Sequence, residues 1–334
     1  MNRLLQIILC ILLSKSGQTQ PLQLLHSGND VSLRGLSVVN DQVLWVSGSE
    51  GTVGLSTNGG IAWKWMRIPH FEKSDFRDIE AFSDREAIIM GITEPAVILL
   101  TTDAGNSWAI EFEDTSKSAF LDAMDFSGNH AAVVGDPVAD RIFFAESSDR
   151  GKRWNINTSS GYMPTAAGES FFAASGSNIQ HLADGSWVLV SGGIQSCIYF
   201  GKSRIPLLLI HGTETTGANS IAINPVNSNQ AFIVGGDFKH DTAQYGNSLL
   251  IQMNPFNQKV PLTPPHGYRS CVEYINENQM ICCGTSGVDI SNDGGLHWNL
   301  ISDKSFHVCR KSKNGNIVFL AGSHGAIARW QTSF

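Results

Sequence analysis

No apolar run in the 334 residues is long enough to cross a membrane as a helix. The longest, residues 4–13, has half of the roughly 20 residues that a span requires. It follows Met1-Asn2-Arg3 and gives way to small and polar residues, the pattern of a secretory signal peptide. Residues 1–20 are therefore expected to be removed from a single domain of residues 21–334, with no stable membrane insertion. Cys10 is not expected to carry a lipid, because Leu9 is bulky where such a site wants a small residue. Basic residues are scarce, 23 against 30 acidic. Losing Arg3 and Lys15 from that count leaves 21, a net charge of −9, which disfavours nucleic acid and anionic lipid as partners. Cysteine is rare too: of six, five follow the leader, and none shows metal-site spacing. Cys271, Cys282, Cys283 and Cys309 lie in strand-like runs, where small buried thiols are the simpler reading than a disulfide. Helical periodicity, a dinucleotide glycine fingerprint and a haem-attachment Cys-x-x-Cys-His are all missing, so no cofactor is expected.

What the chain does have is repetition. Ser56-Thr-Asn-Gly-Gly-Ile-Ala-Trp63, Thr101-Thr-Asp-Ala-Gly-Asn-Ser-Trp108, Ser147-Ser-Asp-Arg-Gly-Lys-Arg-Trp154 and Ser291-Asn-Asp-Gly-Gly-Leu-His-Trp298 are versions of one box. Their tryptophans are 45, 46 and 144 residues apart, and 144 is three steps of 48. Short apolar strands ending in Gly48, Gly91, Gly135, Gly192, Gly235, Gly284 and Gly322 give seven copies, at intervals of 43, 44, 57, 43, 49 and 38. Before each lies a second apolar or alternating run, such as Phe76-Arg-Asp-Ile-Glu-Ala-Phe82, or Phe171-Phe-Ala-Ala-Ser175 in copy four. Period-two patterning broken by turn residues reads as hairpins. A four-stranded sheet exposes two faces that neighbours must cover, so repeats of this length predict an all-β, seven-bladed β-propeller. The last copy stops just after Ala326-Ile-Ala-Arg-Trp330, short of an outermost strand. Leu22-Gln-Leu-Leu25 is expected to supply it and close the ring. Another blade could hide only in the interval of 57.

In each box the third residue, Asn58, Asp103, Asp149 or Asp293, is expected to accept hydrogen bonds from turn amides. Glycine supplies positive φ, and Trp63, Trp108, Trp154 or Trp298 wedges under the hairpin. Copies four and five keep no box, and their turns are placed at Gly201-Lys-Ser203 and Tyr245-Gly-Asn-Ser248. The boxes resemble the Asp-box, or BNR repeat, of sialidase-like and sortilin-like propellers. Over nearly the whole mature length the chain is similar to secreted bacterial propellers related to the photosystem II stability/assembly factor family, a group often labelled oxidoreductase. Arg34-Gly-Leu-Ser-Val, Gly135-Asp-Pro137, Phe172-Ala-Ala-Ser-Gly176, Gly235-Gly-Asp237 and Gly267-Tyr-Arg-Ser270 carry that closer likeness. The resemblance implies a binding or assembly scaffold with a protein client.

Aligning the copies on their glycines puts Arg34, Arg77, Asp122, Ser220, Arg269 and His307 at one repeat position, expected as a ring at the channel mouth. Glu94, Asp136 and Asp237, just after the second strands, belong to loops on that face. Three arginines among carboxylates suit a planar anionic group, so a protein segment, a glycan or another anionic ligand is the expected partner of a monomeric, non-enzymatic, secreted or periplasmic scaffold. A purely structural network, Arg77 with Asp78 and Arg34 with Asp122, competes with that reading. The enzymatic alternative is a sialidase-like hydrolase in which Arg34, Arg77 and Arg269 grip a carboxylate beside Tyr268, with Glu169 or Asp122 as acid or base. Against it, Arg67-Ile-Pro69 and Arg204-Ile-Pro206 are not placed as the sialidase segment is, and adjacent Tyr268 and Arg269 should point to opposite sides of a strand. His211, His240 and His266 read as solvated, and Asp237, His240 and Asp241 as a weak metal option.

Overall fold

A computed structural model describes residues 22–157 and 164–331. The expected leader, residues 1–20, lies outside them. Every described element is a strand, and the strands form seven antiparallel sheets arranged as the blades of a propeller. Blade one runs inside to outside through Leu33–Val38, Leu44–Gly48, Thr52–Ser56 and Lys64–Arg67. Blades two, three and six repeat this order, beginning at Phe76–Ala81, Leu121–Ser127 and Cys271–Tyr274. Blade seven consists of Val308–Lys311, Ile317–Ala321 and Ile327–Gln331, with Gln23–Leu25 outermost. Gln23 pairs with Arg329 and Leu25 with Ile327, so the two ends of the fold close the ring as the sequence predicts.

Why the strands read as apolar runs follows from the packing. In Ala87–Gly91, Ala87 and Ile89 face a core shared with blade one, whereas Ile88 and Met90 face one shared with blade three. Successive side chains of a strand point to opposite faces, and here both faces are covered. Ile88, Ile89 and Met90 each contribute about 1.5–3 kcal/mol by leaving water, and Ala87 less. The hydrophobic interior is thus a ring of slabs between blades, with polar residues left to the channel and to the loops.

The four boxes close the outer hairpins by one local scheme. Asn58 Oδ1 accepts from the Ala62 amide at 2.8 Å, and Asp103, Asp149 and Asp293 accept from Ser107, Arg153 and His297 at 2.9, 2.9 and 3.0 Å. The first-position hydroxyl has a role the sequence reading missed: Ser56, Thr101, Ser147 and Ser291 each accept the amide of the box glycine at 2.9 Å. Trp63, Trp154 and Trp298 donate Nε1 to that glycine's carbonyl, while buried Trp108 Nε1 has no partner among the described residues.

Two placements differ from expectation. The innermost strand of blade four is Ile179–His181, not the run from Phe171 to Ser175, because that run leaves the blade and crosses the channel. In blade five the outer hairpin turns through residues 253–256, between Ser248–Gln252 and Asn257–Lys259. Tyr245-Gly-Asn-Ser248 instead leads into the third strand, on the opposite face of the ring. The blade-four turn at Gly201 and Lys202 lies where expected.

Candidate functional site

The channel mouth is built from a repeated irregularity. In blades one, two, three and five the innermost strand bulges against the glycine-ended strand, and the extra residues are Arg34, Arg77, Asp122 and Asn219. A bulge lets two residues oppose one and re-aims the side chain, here toward the axis. In blade six Cys271 pairs with Cys283, the position Gly35 takes against Ser47 in blade one, so Ser270 and not Arg269 occupies the ring. Asn219 likewise replaces the expected Ser220, and His307 keeps its place beside the Val308–Ala321 pair.

That one-residue difference removes Arg269 from the mouth. Its side chain is fully buried within blade six, bonded through Nε to Asp289 at 2.8 Å and through Nη2 to the same carboxylate. Nη1 donates to Ser286 Oγ at 2.7 Å and to the Tyr268 carbonyl at 2.8 Å. Tyr268 faces the other way, its hydroxyl 2.9 Å from Asn219 Oδ1.

A segment passes across the channel and floors the mouth. Residues 172–177 connect blades three and four, yet they touch the far side of the ring. Ser175 Oγ donates to the Ser270 carbonyl at 2.7 Å, and Arg310 Nη2 donates to the Ser175 carbonyl at 2.7 Å. Arg34 Nη1 and Arg77 Nη1 lie 3.3 and 3.4 Å from the carbonyls of Ala174 and Ala173. The sequence Ala-Ala-Ser-Gly-Ser suits this crossing, since larger side chains would not fit between seven inner strands. Gly176 has φ +64°, and a Cβ there would stand 2.2 Å from the Asp78 carboxylate.

Above this floor lies a cavity of about 410 Å³ with three kinds of wall. Arg34 and Arg77 form a cationic side. Arg77 Nε is held by Asp75 at 2.8 Å, whereas Arg34 has no carboxylate within ion-pair distance among the described residues. Neither Arg34 Nε, Arg34 Nη2 nor Arg77 Nη2 has a hydrogen-bond acceptor among those residues. Burial, and then the charge of Arg77, lower the Arg34 pKa. His307 is buried, bonded to Ser323 Oγ at 2.8 Å, and pushed down to about 3 by burial and by Arg34 and Arg77, so it is neutral. The second wall is aromatic: Phe172 meets Phe238 edge-on at 6.2 Å, and Phe238 meets Tyr268 at the same distance. The third holds Asp136, whose Oδ1 accepts the Phe171 amide at 3.0 Å. Asp122 lies behind it, fully buried, with neither carboxylate oxygen hydrogen-bonded among the described residues.

Three other expected ligands lie elsewhere. Glu169 is buried, 2.7 Å from Arg204 Nη2 and 2.5 Å from the Tyr199 hydroxyl, and also receives Ser191 Oγ. Asp237 is consumed by Thr215, the Lys239 amide and His240. Asp78 lies under the floor and accepts the amides of Ile79 and Met124 at 2.8 Å. The sialidase-like grip therefore does not assemble, since Arg269 is tied within blade six and Glu169 to Arg204 and Tyr199 of blade four. Among the described residues no three His, Cys, Asp or Glu side chains are grouped as a metal site requires.

Below the floor is a second chamber that the sequence reading missed. Ser37, Glu80, Asp125, Glu273 and Arg310 line it, each three residues beyond its blade's position at the mouth, with a bulge in blades one, two and three accounting for the odd step. Burial raises the pKa of Asp78 to about 8, of Glu273 to about 7 and of Asp125 to about 6, with Arg310 opposing each shift. Arg310 also donates to Cys271 Sγ at 2.9 Å, beside Cys283 and Cys309. All five described cysteines are buried and unpaired.

A family model described as photosynthesis system II assembly factor YCF48 matches residues 15–193, more than half of the chain. The protein belongs to that family. A member that it resembles is the photosystem II stability/assembly factor HCF136, chloroplastic, of Oryza sativa subsp. japonica, 27% identical over 162 residues. The match covers 43% of this chain and 36% of that relative, so it spans just over a third of the relative's length. Among solved structures, "YCF48 bound to D1 peptide" superposes with a TM-score of 0.67 at 16% identity, covering 95% of this YCF48-family chain and 96% of the other. YCF48 from Cyanidioschyzon merolae gives 0.63 at 15% identity over 93% and 99%. The WD40 propeller domain of Doa1 gives 0.64 at 12% over 94% and 98%. Similar scores for an assembly factor and a WD40 domain mean that these superpositions speak for the propeller fold alone.

Proposed function

We propose that the floored channel mouth docks an extended segment of a client protein and catalyses nothing. A carboxylate of the segment is received by Arg34 and Arg77, and a neighbouring apolar side chain rests on Phe172, Phe238 and Tyr268. The observation that carries this reading is the set of guanidinium N–H groups left without acceptors beside an aromatic wall, in one cavity. Planar guanidinia bind carboxylates through paired, charge-assisted hydrogen bonds, and aromatic side chains supply large contact area at low entropic cost. Rigid blades hold both features, so little ordering is needed on binding. A solved propeller of the same family carrying a D1 peptide supports a peptide-like client. In this reading the protein is an exported monomer whose ring closes within one chain, and its client is defined by an acidic group next to an apolar one.

The test is calorimetric titration with short peptides that pair a terminal or side-chain carboxylate with Leu or Phe, against amidated controls. Arg34→Ala is expected to weaken binding by about tenfold to a hundredfold, the worth of one charge-assisted hydrogen bond, with an unchanged circular dichroism spectrum. Equal affinity of the carboxylate and amidated peptides, or of Arg34→Ala and the parent, would overturn the reading.

A further inference from the structure

Asp122 does not match an anion-receiving mouth. It occupies the bulge position that carries Arg34 and Arg77 in blades one and two, is fully buried, and has no hydrogen-bond donor on either oxygen among the described residues. The groups that face it are Asp136 from its own blade, Arg77 from blade two and the backbone of Ala173 from the floor, which approaches without closing a hydrogen bond. Asp75 already holds Arg77 Nε. With Asp122 uncharged, two carboxylates, Asp75 and Asp136, stand against two guanidinia. With Asp122 ionised there are three, and Arg77 lies between two of them.

We propose that Asp122 is the charge selector of the mouth: as a neutral acid it leaves Arg34 and Arg77 open to an anionic group, and on losing its proton it turns that group away. This rests on the docking reading given above. A carboxylate buried without donors or a full counter-charge is costly, and the group takes up a proton instead. Burial, and then the charge of Asp136, raise its pKa well above the ordinary carboxyl range, with Arg77 opposing. Binding of an anionic segment is therefore retained below that raised value and lost as the pH climbs through it. One added charge about 7 Å away in a medium of effective dielectric near 20 changes affinity by more than tenfold.

The experiment measures affinity for a carboxylate-bearing peptide from about pH 6 to about pH 10, above the reach of ordinary carboxyl titration, in the parent and in Asp122→Asn. The amide mimics the neutral acid, so Asp122→Asn should bind like the parent at the lower end and stay flat, while the parent weakens by tenfold or more. Identical pH profiles for the two proteins, or a folded Asp122→Asn that fails to bind at the lower end, would sink the proposal. A second measurement needs no ligand: the infrared difference between parent and Asp122→Asn at neutral pH should contain the carbonyl band of a protonated carboxyl. Absence of that band overturns the selector even if peptides bind. A band present while no peptide binds at any pH, or while Arg34→Ala binds normally, keeps the neutral acid but removes the docking reading and, with it, the selector.

Discussion

Raising the pH from about 5 to about 8 should destabilise this protein, although most proteins are most stable within that range. The cause is the chamber beneath the floor, where Asp78, Glu273 and Asp125 have pKa values raised to about 8, 7 and 6. Each has a folded value above its unfolded one, so its contribution is complete below about pH 4 and is lost as the pH rises through the folded value. His307 has the opposite sign: its folded value is depressed to about 3, so between about pH 3 and 6.5 it makes stability rise with pH. Near pH 5.5 the three carboxyl groups hold close to three protons that the unfolded chain has released, while the unfolded chain holds about one imidazolium proton that the native state lacks. The difference, about two protons, gives a slope of roughly −2 to −3 kcal/mol per pH unit from these four groups, and Asp122, whose pKa is also raised by burial, adds to it in the same direction. Urea unfolding followed by tryptophan fluorescence across this range measures the slope directly. Glu273→Gln should flatten it by up to about 1.4 kcal/mol per pH unit. Stability that is constant or rising from about pH 5 to 8, or a slope untouched by Glu273→Gln, would refute the reasoning.

Two further outcomes test the assignments made from geometry. Glu169→Gln removes the buried carboxylate that holds the partly exposed Arg204 guanidinium and the Tyr199 hydroxyl and should cost about 1.5–3 kcal/mol in thermal or urea unfolding, while peptide affinity at the mouth stays unchanged; a loss of affinity at full stability would restore Glu169 to the site. Gly176→Ala forces positive φ on a side chain whose Cβ would meet a carboxylate already fixed by two amides. A loss of about 2–3 kcal/mol is expected, together with weaker peptide binding because the floor shifts, and an unchanged melting temperature would show that the crossing segment yields freely.

The channel shows how far the pattern of residues could be read. Seven glycine-ended runs locate the second strands, but the lower ring of Glu80, Asp125, Glu273 and Arg310 stands three residues past the mouth positions, an odd step that strand alternation does not give and that the bulges at Arg77 and Asp122 introduce. The interval of 57 residues before Gly192 was a visible anomaly. It holds not a missing blade but a segment whose own blade uses Ile179–His181 instead. Arg269 was misassigned because counting back from Gly284 cannot reveal where a strand bulges, and a slip of one residue turns a side chain to the other face.

The sequence alone determined the ring: each box closes through hydrogen bonds reaching no more than four residues along the chain, and each blade is a run of local hairpins that must be covered on both faces. Only the tertiary structure decided the mouth. Arg34 meets a carbonyl 140 residues away and Arg310 one 135 residues away, and whether Asp122 finds a donor depends on three segments arriving together. Short-range turns are encoded by the residues that make them, whereas the charge state of a buried group is set by whatever the finished fold places around it.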